Sequence, residues 1–229
     1  MNDNLAKVVK SYSLFTHAKY AQKMHDFSKD TVISTFTDLL TMYINDKNSS
    51  TLREFITVSL AGYEHSDSKV GFNGYKHSTA GDPVACEAKP KNVSSDEYAE
   101  YQAGERNSFR KLNGGGNFTD YTWARYERDK TENLNMLVSG FIDGRLIYIL
   151  EFPFLEESFT CRLETQLQSH FPDGDESGRF LRSAHFDYRH FIDSKNLKII
   201  HGDADILKKA KSFMVAGFYG KLMACLAKQ

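Results

Sequence analysis

Proline is scarce, at 4 of 229 residues, so few obligatory breaks interrupt helices and strands. Cysteine is scarcer still: Cys86, Cys161 and Cys225 stand far apart with no C-x-x-C pair. That excludes a zinc ribbon and a disulfide framework, and it fits a reducing, cytoplasmic setting. Neither sign of charge dominates, with 29 Lys+Arg against 30 Asp+Glu and a net charge of −1. A basic coat for nucleic acid is therefore excluded, although a local basic groove is not. The most apolar stretches, 146–155 and 214–227, are broken by Glu151 and Lys221 and fall well short of a membrane span. Met1-Asn2-Asp3-Asn4 opens no basic and then apolar leader, so no signal peptide is expected. Also absent are H-E-x-x-H, a Walker loop, a G-x-S-x-G elbow and a dinucleotide fingerprint. The eight histidines show no metal-ligand spacing.

What is present is a 41% hydrophobic chain with 17 Phe and 12 Tyr, enough for one large domain with a sizeable core. The expected organisation is a single domain over 1–229. Helices fill 1–50, a catalytic core with the sheet spans 51–155, and 156–229 is a helical part for DNA contact or dimerisation. Val32, Ile33, Phe36, Leu39, Leu40, Tyr43 and Ile44 recur at helical spacing behind Asp30 as a possible cap. Thr51-Leu52-Arg53-Glu54 has the capping-box pattern of a second helix. Beyond Gly62 the texture becomes strand-like: 69–75 and 84–89 flank the turn-forming Ser78-Thr79-Ala80-Gly81-Asp82-Pro83. Residues 95–112 read as a helix ending at Asn113-Gly114-Gly115-Gly116-Asn117, a stretch with little side-chain restraint. A further helix is expected over 119–130, and a hairpin at Asp143-Gly144 between 134–142 and 145–152. Residues 159–170 predict a helix and 172–178 a loop. Ile206, Leu207, Ala210, Phe213, Met214, Gly217, Phe218 and Leu222 share one helical face near the end. The predicted class is α+β, or mixed α/β, with a small mixed sheet flanked by helices.

Three acidic-x-Lys triplets occur: Asp67-Ser68-Lys69, Glu87-Ala88-Lys89 and Asp193-Ser194-Lys195. That is about the chance number, so context must separate them. Only Glu87 and Lys89 end an apolar strand, Val84-Ala85-Cys86, where alternation sends both side chains to one face. With the turn centred near Ala80, Asn73 lies across from Glu87 on that face. An acid opposite Glu87 would make a carboxylate pair able to hold Mg²⁺, and Lys89 would point at the same place.

Gly71-Phe72-Asn73-Gly74-Tyr75 followed by Glu87-Ala88-Lys89-Pro90-Lys91-Asn92 resembles the PD-(D/E)xK nuclease superfamily, and within it a type II restriction endonuclease. The resemblance covers roughly residues 51–112. It implies a restriction-endonuclease-like core and Mg²⁺-dependent hydrolysis of double-stranded DNA at a short specific site. It also implies a homodimer, because two scissile phosphates related by a two-fold need two sites. Glu87, Asn73 and the backbone carbonyl of Ala88 would hold the metal, with Lys89 assisting the attacking water. The chain departs from the pattern at Asn73, where the superfamily has Asp. Either the amide serves as a neutral ligand, or an upstream acid such as Glu64 or Asp67 compensates, or the chain is a variant disabled by Asp→Asn. The alternatives are a catalytically silent DNA-binding protein of the same fold, and a non-nuclease protein in which Glu87 and Lys89 form an ion pair on a solvated strand. If DNA is the substrate, Lys91, Asn92, Arg106, Arg110, Lys111, Asn113, Asn117 and Arg125 are the expected contacts, with Arg182, near His185 and Arg189, as a second patch. Singly, each is equally a solvated face.

Overall fold

The computed structural model describes residues 3–45, 50–66, 72–77, 81 and 83–228. Four helices open the chain: α1 (Asp3–Leu14), α2 (His17–Met24), α3 (Lys29–Asn45) and α4 (Ser50–Leu60). Two of their starts differ from expectation. The Thr31 N–H donates to Ser28 Oγ at 3.2 Å, so Ser28 holds the start of α3. Asp30 falls in the first turn, where its charge suits the helix dipole. Helix α4 already begins at Ser50, which places Thr51 inside it.

The rest of the chain alternates: β1 (Glu64–His65), β2 (Gly74–His77), β3 (Pro83–Val93), α5 (Ser95–Gln102), β4 (Gly116–Tyr121), α6 (Trp123–Glu132), β5 (Asn133–Ile142), β6 (Arg145–Pro153), α7 (Glu157–His170), β7 (Leu181–Phe186), β8 (Lys198–Gly202), α8 (Ala204–Lys209) and α9 (Ala216–Leu226). Six strands form one mixed sheet in the order β1-β2-β3-β5-β6-β8, and β4 pairs with β7 in a separate ribbon. Within the described six-stranded sheet β3 and β5 run parallel and the other neighbours antiparallel, which requires the long crossover through α5, β4 and α6. The class is α+β with a mixed sheet flanked by helices.

One face of the sheet packs Cys86, Ala88, Leu137, Phe141 and Ile149 against Val9, Phe55, Ile56 and Val58 of α1 and α4. The opposite face packs Met136, Val138, Tyr148, Leu150 and Phe152 beneath the ribbon, α6, α7 and α9, through Phe118, Tyr126, Phe159, Phe186 and Phe218. The central strands are thus buried on both sides, which is why β5 and β6 read as near-continuous apolar runs. Asp143 and Gly144 take φ of +49° and +74°, as a two-residue type I′ hairpin requires. The Asp143 carboxylate also accepts from the Ser95 N–H at 3.0 Å, tying the hairpin to the start of α5.

Elsewhere the elements divide differently from the sequence reading. Helix α5 stops at Gln102, because Gly104 takes φ +76° and Phe109 turns back onto Tyr98 at 4.9 Å. Arg106, Arg110 and Lys111 therefore lie on irregular chain. The expected 119–130 helix is a strand followed by a helix: Thr122 caps α6 by accepting from Arg125 N–H, and Asp175 accepts from the N–H groups of Trp123 and Ala124. The last helical face is split between α8 and α9 by a 3-10 turn at Lys211–Phe213, where Leu112 N–H donates to Phe213 O at 2.7 Å. Strand β8 joins the main sheet, so the segment after 155 is not purely helical. Among the described residues no helix is long and apolar enough to cross a membrane. Cys86 is buried, Cys161 exposed and Cys225 half-buried, all as free thiols.

Candidate active site

The β2–β3 hairpin pairs Gly74 with Cys86, Tyr75 with Ala85, Lys76 with Val84 and His77 with Pro83. The next step along that register brings Asn73 beside Glu87, as the sequence predicts. Asn73 N–H donates to Cys86 O at 2.9 Å, and Ala88 N–H donates to Asn73 Oδ1 at 2.7 Å. The Asn73 side chain thus continues the ladder for one step beyond β2. Gly74 is strand, not turn: a Cβ there would collide with Val58 Cγ1, so the glycine lets β2 close on α4. N–H and C=O of one strand residue point the same way, so the Ala88 carbonyl also faces the side where β2 has ended.

Glu87 is 7% exposed and its Oε1 lies 2.5 Å from Lys89 Nζ. The ammonium also sits 4.3 Å from the centre of the Phe118 ring. The pair is therefore not on a solvated strand. Strand β4 roofs it, and a Cβ at Gly116 would fall 2.6 Å from Lys89 Cβ. The glycine run is packed, not loose. A Cβ at Gly114 would strike the Phe218 ring, and one at Gly115 would strike Phe186 O.

A second buried carboxylate lies near enough to feel the charge of Glu87. Asp129 on α6 is 3% exposed, with Arg125 Nε at 3.7 Å and Arg128 Nη2 at 3.5 Å. Burial pushes its pKa up, Arg125 opposes that, and the negative charge of Glu87 adds to the rise. The fully buried Tyr121 hydroxyl is likewise pushed up, by burial first and then by Asp129, with Glu87 contributing. Asn133 ends this group. It follows Asp129 by four residues and pairs with Ala85, whose next neighbour on the same face is Glu87. Sequence reasoning missed Asp129, Tyr121 and Asn133. The available signal was Tyr126-x-x-Asp129-x-x-x-Asn133, a polar continuation of a core-facing helical stripe.

Of the two proposed compensating acids, Glu64 does not reach the pair. Glu64 lies in β1 opposite Tyr75, two residues from the strand position facing Asn73, and it is bonded to the Tyr75 hydroxyl. Asp67 lies outside the described residues. The donors present fit Mg²⁺, which takes oxygen ligands and keeps several waters: a carboxylate at Glu87, a backbone carbonyl at Ala88 and a second carboxylate at Asp129. Among the described residues no group of three Asp, Glu, His or Cys side chains gathers anywhere. Neutral oxygens and water would have to complete the shell.

Comparison with protein-family models and with curated proteins returns no match.

Lys91 continues the Glu87–Lys89 face into a groove of about 650 Å³. Of the nine expected DNA contacts, Lys91, Asn92, Arg110, Asn113 and Asn117 line it, joined by Arg53 and His185, which the sequence reading had not placed there. Lys91 Nζ donates to Asn113 Oδ1 at 2.8 Å. Burial and then the nearby Arg110 charge hold its pKa below the usual lysine range, with Asp187 opposing. Asn92 Oδ1 is turned to Gly144 N–H, at 2.9 Å. The remaining candidates lie elsewhere. Arg106 pairs with Glu97 and Glu100 at 3.2 and 3.3 Å. Lys111 rests over the Phe109 ring. Arg125 turns inward to Asp129 and to Thr119 O. Arg182 pairs with Asp120 on the outer side of the ribbon.

Proposed function

We propose that the protein is a Mg²⁺-dependent type II restriction-type endonuclease. It hydrolyses phosphodiester bonds of double-stranded DNA at a short specific site, works in the cytoplasm as a homodimer, and turns over slowly because Asn73 stands where an Asp is expected. The observation carrying this reading is the placement of Glu87 and Lys89 side by side on β3, opposite Asn73 and continuous with the Lys91–Arg110 groove. Mg²⁺, when bound, supplies polarisation of the scissile phosphate and a water of lowered pKa. Glu87 offers the carboxylate that binds it. Lys89, held over Phe118, keeps a positive charge where negative charge develops on the phosphoryl oxygens. Lys91 and Arg110 position the backbone through its phosphates and carry no sequence information of their own. Incubating plasmid DNA with and without Mg²⁺ tests the reading: slow, metal-dependent linearisation supports it, and intact plasmid at every Mg²⁺ concentration counts against it.

A second reading is favoured by the Asn73 Oδ1 bond to Ala88 N–H and by the closed Lys89–Glu87 pair, since both occupy groups that an active site would turn to metal. On that reading the protein binds DNA without cutting it. Salt-sensitive duplex binding in Ca²⁺, with no cleavage in Mg²⁺, would select it.

A further inference from the structure

The ribbon of β4 and β7 has two unlike faces. Phe118, Ala184 and Phe186 are buried on one and fix it to the core. The residues between them form the other: Asn117 stands opposite His185, and Thr119 opposite Ser183. All four are exposed, and each offers an amide, an imidazole or a hydroxyl for hydrogen bonding. His185 is held in one orientation. Its Nε2 lies 2.7 Å from Arg162 Nη2, and its backbone N–H donates to Gln166 Oε1 at 3.0 Å. A guanidinium can only donate, so Nε2 accepts and the ring proton stands on Nδ1. Asn117, Ser183 and His185 line the groove of about 650 Å³ together with Arg53, Lys91 and Arg110. The one acid among its described lining residues, Asp187, is held by Arg189 Nη2 at 2.6 Å. The groove therefore joins a cationic strip to a row of fixed donors and acceptors.

We propose that the β4–β7 ribbon lies in the major groove of duplex DNA and reads base edges through Asn117 and His185, while Lys91 and Arg110 hold the adjoining phosphates. The proposal rests on the nuclease reading for its ligand and assigns the residues that set sequence specificity within it. The dimensions fit, since two paired strands stand about 4.8 Å apart and the major groove, about 12 Å wide, admits a two-stranded ribbon. The chemistry divides in the same way. Lys and Arg attract phosphate whatever the sequence, whereas donors and acceptors in fixed places tell one base edge from another. The Asn117 amide, an acceptor and a donor side by side, matches N6 and N7 of adenine. The Nδ1–H of His185 matches an acceptor such as N7 of guanine. Arg162 is then a positioning residue, because it fixes which ring nitrogen of His185 carries the proton. The buried aromatic face beneath keeps the row rigid, as discrimination between bases requires.

The test selects duplexes from a random-sequence library in Ca²⁺, using the wild type, Asn117→Ala, His185→Ala and Lys91→Met. The wild type should enrich one short site that contains an A·T pair. Asn117→Ala should lose its preference at that pair by about five- to a hundredfold, and His185→Ala at a different pair, each keeping the rest of the site. Lys91→Met should bind every duplex more weakly and enrich the same site. The DNA side gives a second measure. Replacing the adenine by 7-deazaadenine should weaken wild-type binding and leave Asn117→Ala binding unchanged. A site equally strict at every position for the wild type and both ribbon variants overturns the proposal, and so does a wild type that enriches no sequence. Cleavage in Mg²⁺ is scored on the same duplexes. A site that is selected through the ribbon and never cut keeps the proposal and removes the nuclease reading. Cleavage whose specificity is untouched in both ribbon variants does the reverse.

Discussion

Gly116 of β4 lies so close to Lys89 of β3 that a Cβ on the glycine would sit 2.6 Å from the lysine Cβ. The absent side chain lets the ribbon come down over the Glu87–Lys89 pair and places Phe118, two residues on, beneath the ammonium. Gly116→Ala is therefore expected to lift the roof or turn Lys89 aside. Overpacking of this kind costs roughly 1–3 kcal/mol. Urea unfolding should show that loss, and Mg²⁺-dependent cleavage should fall further than stability does. A Gly116→Ala protein with wild-type stability and wild-type cleavage would mean that the roof does not position Lys89.

Glu87→Gln and Lys89→Ala should each abolish cleavage while leaving duplex binding in Ca²⁺ largely intact. Their stabilities should differ. Lys89→Ala strips the partner from a carboxylate that is 7% exposed, so it should destabilise by about 1–3 kcal/mol. Glu87→Gln keeps an acceptor for Lys89 and should cost less. Chemical denaturation of both variants, run beside a plasmid assay, checks the pair of claims. Cleavage by either at near the wild-type rate would place the chemistry elsewhere.

Lys91 gives a pH prediction whose sign is fixed by its surroundings. Burial and Arg110 depress its folded-state pKa below 10.5, so holding the charge at neutral pH opposes folding. Between the depressed value and 10.5 the unfolded chain binds more protons than the native one, and stability rises with pH. Lys91→Met should accordingly be as stable as the wild type or more so near pH 7, with the advantage shrinking as pH climbs through that window. The same variant should bind duplex more weakly and lose about 0.9 from the slope of log K against log salt, one phosphate contact's share. Thermal melts across alkaline pH, together with binding at several salt concentrations, decide both halves. A Lys91→Met protein that is less stable at pH 7 and binds DNA with an unchanged salt slope would remove the lysine from the interface.

How much of this was readable in the sequence depends on what each element asks of its residues. The β2–β3 register was legible because strand alternation and a short turn fix which residues oppose, and Asn73, Glu87 and Lys89 fell where they were expected. Asp143-Gly144 was legible because its backbone angles demand those residue types. Strand β4 was not. Asp120 takes φ +52° and interrupts the alternation, so Phe118 and Tyr121, three apart, both point into the core and imitate a helical spacing. The glycine run read as loose chain because close packing against Lys89, Phe186 and Phe218 leaves no trace in local composition. Asp129 was hidden for a related reason. It sits among Arg125, Glu127, Arg128, Lys130 and Glu132, and only the tertiary fold buries it while leaving those neighbours closer to solvent. The five residues that meet in the Lys91 groove come from β3 and from the chain around β4, and pattern alone could name them without bringing them together.

Asn73 gives the sharpest test of the proposed chemistry. Its Oδ1 accepts from Ala88 N–H, a role that a carboxylate oxygen fills equally well, so Asn73→Asp should preserve the end of β2. The second carboxylate oxygen would then add a full negative charge opposite Glu87, where the amide presents an N–H₂ group. Without metal, that charge repels Glu87 and should lower stability by about 1 kcal/mol, a typical scale for a partly solvated pair. With metal, the added anion tightens binding, and the metal is more often in place to polarise the phosphate. Single-turnover cleavage of duplex by both proteins, across a Mg²⁺ titration, should show Asn73→Asp faster at every concentration and half-saturated at lower Mg²⁺. Its melting temperature should lie below the wild type in chelator and rise more steeply as Mg²⁺ is added. Identical rates together with identical Mg²⁺ dependence of melting would mean that position 73 does not address the metal, leaving the carboxylate on α6 to complete the site alone.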